Sequence, residues 1–338
     1  METFEFLGLT VYPFGLFISM AALLLLVLMG VMGYSRKLPQ GTVRIFGILA
    51  VPLGIVFARV LYCLMNIPFF VGTYENPALM LRFFDGGFSL SGLFIGMLLS
   101  ALLAAKINKA SFSDLMDVFA VALGAFLMLV FLGEKHTELG VGKPLENPGW
   151  IAENLPFLFI THKMGKNIEY RMAVYLYQAI FSGILFLVML SLFLDKKKAA
   201  GRRSGDLALI FFSVFGAGEI LLESLRDDGH MLLIFLRVGQ LCAVIMPLVC
   251  MIILSGRYKK EGCKGHAALL ISWLAFIVCI AAGVLMEFAL DGRLATGMSL
   301  LQRYAILAVI CIAVAALPLF LLMNLKRKAA VAMDSSPA

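Results

Sequence analysis

Nine apolar runs, each close to twenty residues long, dominate this 338-residue chain. They lie near residues 10–34, 44–65, 87–106, 115–133, 172–194, 206–223, 238–255, 267–288 and 302–324. Runs of this length match the hydrocarbon thickness of a bilayer. Lipid offers backbone N–H and C=O groups no partners, so each run must satisfy its own and form a helix. A spanning barrel would alternate in polarity at every second residue, and these runs do not. The expected fold class is therefore all-α, a polytopic transmembrane bundle of about nine spans. Composition agrees, with 62% hydrophobic and 14% charged residues, against roughly 25% charged in soluble domains.

The net charge of +7 does not point to nucleic acid, because the basic residues sit in short clusters between apolar runs. Arg36, Lys37 and Arg44 follow the first span, and Lys106 and Lys109 follow the third. Lys196, Lys197, Lys198, Arg202 and Arg203 follow the fifth. Arg257, Lys259, Lys260 and Lys264 follow the seventh, and Lys326, Arg327 and Lys328 follow the ninth. The positive-inside rule assigns these loops to the cytoplasm. An odd number of spans then leaves the N-terminus outside and the C-terminus cytoplasmic. Residues 1–13 hold Glu2 and Glu5 but no Lys or Arg. A secretory signal would open with positive charge, so the first span is expected to be a retained helix. Cys63, Cys242, Cys250, Cys263, Cys279 and Cys311 form no CxxC pair and read as small hydrophobes. The four histidines lack metal-ligand spacing, and no metal site is expected.

Charge inside a span is costly, and it marks where function is to be sought. Arg59 falls in the second span, and Glu219 and Glu223 share one face of the sixth. Glu134 closes the fourth span, while Arg226 and Arg237 flank the segment 224–237. All six are expected in the outer half of the bilayer or at its outer boundary. Their convergence there predicts a polar cavity open to the outer leaflet. The competing expectations are that Arg226 and Arg237 snorkel to headgroups, and that Arg59 neutralises Glu219 or Glu223 as a structural pair. Two further segments, 66–86 and 134–171, lie on the same expected side. His136, His162 and His230 fit solvated loop positions. In Asp85-Gly86-Gly87-Phe88-Ser89-Leu90-Ser91-Gly92, adjacent glycines permit a tight turn and close approach. Gly92 and Gly96 give the GxxxG spacing of close helix contact. A helix starting here would aim its N–H groups at an anion, such as a lipid phosphate.

These segments, in this order, resemble the prolipoprotein diacylglyceryl transferase family over about residues 10–260. Arg82-Phe-Phe-Asp85-Gly86-Gly87-Phe-Ser89 is similar to the family's R-x-W-D-G-G-M-S run. Ala58-Arg59, followed by Tyr62 and Asn66, resembles its G-G-R-x-x-Y…N segment. Gly133-Glu134 resembles the end of G-R-x-G-N-F-x-N-G-E, and Tyr177 falls at the tyrosine of H-P-S-Q-L-Y-E. Gly216-Ala217, Glu223 and Arg226 match G-A-x-R-x-x-x-E-x-x-R, and Gly239-Gln240 matches the G-Q that follows. There are departures. Ser91 replaces the histidine after the D-G-G-M-S run, and Phe126 replaces the signature arginine. Leu129 and Leu132 replace asparagines. Glu219 stands at the second arginine, Met172-Ala173 at the histidine-proline, and Gln178 at the glutamate after the tyrosine. The eighth and ninth spans are additions, since the family usually ends after seven.

The resemblance implies a multi-pass enzyme of the bacterial inner membrane. It would transfer a diacylglyceryl group from phosphatidylglycerol to the lipobox cysteine of a preprolipoprotein signal segment, without a metal or other cofactor. Residues 1–260 would form the family-like domain, 261–328 two added spans, and 329–338 a polar tail. Lipid or phosphate contacts are expected from Arg59, Arg82, Asp85, Gly86, Gly87, Ser91, Tyr177, Arg226, Arg237 and Gln240. Glu134, Glu219 and Glu223 are the acid/base candidates, because a buried carboxyl holds its proton to higher pH. The lost arginines and histidine leave a second expectation, a non-catalytic paralogue that binds lipid or a membrane partner. A transporter is a third, although no internal repeat supports it.

Overall fold

The computed structural model describes residues 3–6, 9–73, 76–83, 86–145, 149–164, 167–195, 202–228, 231–233, 236–260 and 266–334. Its helices are α1 (Pro13–Ser35), α2 (Thr42–Met65), α3 (Leu90–Ile107), α4 (Phe112–Glu134) and the short α5 (Gly149–Asn154). They continue with α6 (Val174–Leu194), α7 (Asp206–Leu225), α8 (Val238–Lys260), α9 (His266–Leu290) and α10 (Leu300–Asp334). Among the described residues, nine of these are long and apolar enough to cross a membrane. Their starts follow local chemistry. Pro13 opens α1, where its missing N–H costs nothing. Ser89 and Ser111 cap α3 and α4 by accepting from the N–H groups of Gly92 and Asp114. The last helix continues to Asp334, beyond its expected end at 324.

The bundle is built around α4, whose spanning window is 83% buried, against 17% for α1 and α9. Helices α1, α6 and α7 surround it. One apolar core joins α1 to α7, centred on Phe119, Leu123 and Phe211. A second joins α7 and α8 to the C-terminal pair α9–α10, through Met251, Leu307 and Leu321. The expected GxxxG contact is present between α3 and α2. A methyl group added at Gly92 would run into the Phe57 carbonyl, and one at Gly96 into the Leu53 carbonyl. Gly96→Leu is expected to force these helices apart and destabilise the chain by about 3 kcal/mol, at the upper end of overpacking costs. Thermal unfolding in detergent measures this, and an unchanged midpoint would contradict the close packing.

Small antiparallel sheets gather at one end of the bundle, in segments where no strand is expected. Strands β1 (Phe4–Phe6) and β2 (Leu9–Val11) pair, and β3 (Val141–Leu145), β4 (Phe159–Met164) and β5 (Asn167–Ala173) form a sheet in the order β3–β5–β4. The strands β6 (Leu232–Leu233) and β7 (Leu236–Arg237) lead into α8. At the opposite end the basic loops meet. Asp206 takes Arg257 at 2.8 Å and Lys326 at 3.2 Å. Buried Asp117 of α4 accepts the N–H groups of Gly205 and Ala208, each at 2.9 Å. A carboxylate from one helix thus satisfies the free donors and the dipole at the start of another.

Candidate functional site

At the sheet-bearing end, α7 finishes in a knot of ionised side chains centred on Arg226. The segment is held in place because Gly142 bridges to Arg226 and the Asp227 N–H donates to Val141 O at 2.8 Å. Arg226 lies 2.6 Å from Asp228 through Nη2, and 3.4 Å from both Glu134 of α4 and Glu223 through Nη1. Its Nη1 also donates to Gln178 Oε1 of α6 at 3.3 Å. The Gln178 amide then donates to Glu219 at 2.7 Å and to Glu223 at 3.3 Å. Arg237 approaches Asp228 at 3.6 Å. Burial opposes the charge of Arg226, yet Glu134, Glu223 and Asp228 outweigh it and raise its pKa.

The cluster is closed rather than open. Arg226, Glu134 and Glu219 are only 6%, 5% and 6% exposed. This corrects the expectation of an open polar cavity, and Arg226 does not snorkel to headgroups. A groove of about 600 Å³ lies elsewhere, against the first turns of α1, lined by Phe4, Leu16, Phe17, Met20 and His136 among others, none of them a cluster residue. One oxygen of Glu219, Oε1, is buried without a hydrogen-bond partner among the described residues. Such an atom is costly to bury; Glu134 Oε2 likewise lacks a hydrogen-bond partner there but faces the Arg226 guanidinium at 3.4 Å.

Arg59 stands apart, which corrects the expected pairing with Glu219 or Glu223. Its guanidinium donates to the carbonyls of Leu79 (2.9 Å), Met80 (3.1 Å), Gly87 (3.1 Å) and Gly86. The Tyr62 and Phe70 rings lie 5.8 Å from its charge. Gly86 and Gly87 both take positive φ, and a methyl at Gly87 would strike Tyr62 and Arg59. The glycines therefore let the chain fold back so that bare carbonyls meet the guanidinium. Arg59 anchors the loop before α3.

The other expected residues divide. Tyr177 does not enter the knot, because its hydroxyl donates to Leu158 O at 2.8 Å and ties α6 to the sheet region. Gln240 is spent on protein groups: Oε1 accepts from the Arg237 N–H at 3.3 Å and Nε2 donates to Glu287 at 2.9 Å. Ser91 sits beside the Cys242 thiol, linking α3 to α8. Arg82 is exposed. Asp85 and His230 lie outside the described residues. Gln178, Asp228 and Glu287 belong to the site but were not singled out as candidates from the sequence. Glu287 carried a signal, being the sole acid in the run 267–288.

Fold and site together define a polytopic helical membrane protein with a buried, ion-paired polar knot at one end of its bundle. The family model for prolipoprotein diacylglyceryl transferase matches residues 2–255, and the chain belongs to that family. A phosphatidylglycerol–prolipoprotein diacylglyceryl transferase of Bacillus licheniformis is 26% identical over 259 residues, covering 76% of this chain and 92% of the relative. The protein of the same description from Halalkalibacterium halodurans is 25% identical over 237 residues, covering 70% and 79%. One from Bacillus cereus is 26% identical over 251 residues, covering 74% and 88%. Two departures noted from the family pattern, Gln178 and Glu219, prove to be hydrogen-bonded neighbours.

Proposed function

We propose that this chain takes up phosphatidylglycerol at the sheet-bearing end of the bundle, with that end outside a bacterial inner membrane. It then transfers the diacylglyceryl group to the lipobox cysteine of a lipoprotein precursor. In this step the bond between the diacylglyceryl carbon and the phosphate oxygen breaks, and a carbon–sulfur bond forms. Glycerophosphate leaves, and the thiol proton passes to a base. The single observation that carries the reading is the union of Glu134 of α4 with Glu223 and Arg226 at the end of α7, family-matching positions from two separate helices, at one buried point. The names of the relatives supply the substrates. Arg237, held to Asp228 only at 3.6 Å, is the cation best placed to meet a phosphate, and Glu219 is the candidate base.

A second reading, lipid binding without transfer, is favoured by one feature. Glu219 puts a carboxylate where the family pattern has an arginine, and that carboxylate is held by Gln178. Labelled phosphatidylglycerol, a lipobox peptide and the purified chain separate the two. Label on the peptide thiol supports transfer. Retained lipid with no label on this or any other acceptor leaves only binding, and rescue of a host depleted of its own transferase excludes the binding reading. If the chain transfers, Arg59→Ala and Glu134→Ala are expected to cut turnover about tenfold or more, equivalent to about 1.4 kcal/mol of barrier. Exposed Arg82→Ala should stay within about twofold. Equal, small effects from all three would contradict this ordering.

A further inference from the structure

We propose that the C-terminal helix pair completes the polar knot, with Glu287 of α9 acting as a positioning residue for Arg237 through Gln240. The pair lies beyond the residues that the family model matches. It is nevertheless fastened to the family-like part at both ends. At the basic end Lys326 of α10 reaches Asp206 at 3.2 Å. At the sheet-bearing end the Tyr304 hydroxyl donates to Ser224 O at 3.4 Å, and Lys143 approaches Asp291 at 3.9 Å. The second apolar core fills the space between.

Glu287 is placed where this attachment touches the knot. Helix α8 begins at Val238, so Arg237 is its capping position and Gln240 stands in its first turn. The Gln240 carbonyl oxygen accepts the Arg237 N–H at 3.3 Å, the reciprocal half of a capping box. That choice leaves the Gln240 NH2 pointing the other way, in a side chain that is 5% exposed. A buried amide hydrogen must find an acceptor. Glu287 Oε1 supplies it at 2.9 Å. The carboxylate thereby selects one orientation of the amide, the amide fixes the start of α8, and that start carries the guanidinium 3.6 Å from Asp228. Asp228 is the tightest partner of Arg226. A carboxylate in an otherwise apolar span is expensive, and this contact gives it a use.

The inference rests on the reading of Arg237 as the group that meets a lipid phosphate. It is tested on the full chain, with Glu287→Leu and Glu287→Gln compared with the parent in two measurements. The first is phosphatidylglycerol binding by the chain in phosphatidylcholine nanodiscs. The second is the KM and kcat of diacylglyceryl transfer. Glu287→Leu leaves the amide without an acceptor, and phosphatidylglycerol is expected to bind about tenfold more weakly, with KM raised in proportion and kcat within about threefold. Glu287→Gln keeps a carbonyl oxygen for the same bond and should bind within about twofold of the parent. A parent that binds but does not transfer sinks the transfer reading alone, and the binding ratio then decides this one. Equal binding by Glu287→Leu and the parent overturns the proposal, as does a Glu287→Gln variant as weak as Glu287→Leu. If Glu287→Leu does not purify as a folded chain, Gln240→Met removes the same link and is expected to give the same tenfold loss. Unchanged binding by Gln240→Met also overturns the proposal.

Discussion

Arg226→Ala is expected to be the most damaging single change, lowering stability by about 3–5 kcal/mol, as for a broken buried ion pair. The reason is what remains. Glu134, Glu223 and Asp228 would face one another with their common cation gone. Gln178 would lose the donor to its carbonyl oxygen. Uncompensated charge in a site this poorly exposed has no water to turn to. Removing charge from both sides should cost less, so Arg226→Met combined with Glu134→Gln is expected to be more stable than Arg226→Ala. Thermal unfolding followed by circular dichroism in detergent measures both. An Arg226→Ala chain within about 1 kcal/mol of the parent would mean that the knot is wet and its charges screened.

The second large effect concerns the neighbouring pair Gln178 and Glu219. Gln178→Glu alone should destabilise by about 3 kcal/mol or more, because it removes two donors and adds a third carboxylate beside Glu219 and Glu223. Adding Glu219→Arg in the same chain restores opposite charges at these positions, in the arrangement the family pattern carries. Most of the lost stability should return, so the two changes are strongly non-additive. Because Glu219 is also the candidate base, transfer should not return with stability and is expected to stay about a hundredfold below the parent. Simple additivity of the two unfolding shifts would show that these side chains are not coupled.

Much of the architecture was legible because the bilayer allows so few solutions. Apolar length alone located the nine spanning helices to within a few residues, except for the end of α10, which runs on to Asp334, and the spacing of Gly92 and Gly96 located the α2–α3 contact. The sheets were harder. Strand β5 carries alternation in Asn-Ile-Glu-Tyr-Arg-Met-Ala, but the strands are short and their partners lie far along the chain. At the site, Glu134, Glu223 and Arg226 were legible as charge out of place in lipid. Which of them meet was not, since the knot is assembled from α4, α6, α7 and the turn after it. Arg59 illustrates the gap. A buried guanidinium invites a carboxylate, yet it presents five donors that carbonyls satisfy equally well, and the double-glycine turn delivers those carbonyls without a side chain in the way. Gln178 stands out in the sequence only as a departure from the family pattern. It is uncharged, and only its position between Arg226 and two glutamates gives it weight.

The two helices beyond the residues that the family model matches bear on the reading of the rest. The last helix packs on α7 and α8, and the Gln240–Glu287 bond ties α9 to the start of α8, beside the knot. Photo-crosslinking with a phosphatidylglycerol bearing a diazirine beside its headgroup probes the whole account at once. Adducts are expected to concentrate around Arg237 and the Gly86–Gly87 turn, and to be far fewer with a phosphatidylcholine probe of the same design. Adducts spread evenly over the lipid-facing sides of α1 and α9, alike for both headgroups, would contradict a lipid-handling role for this end of the bundle.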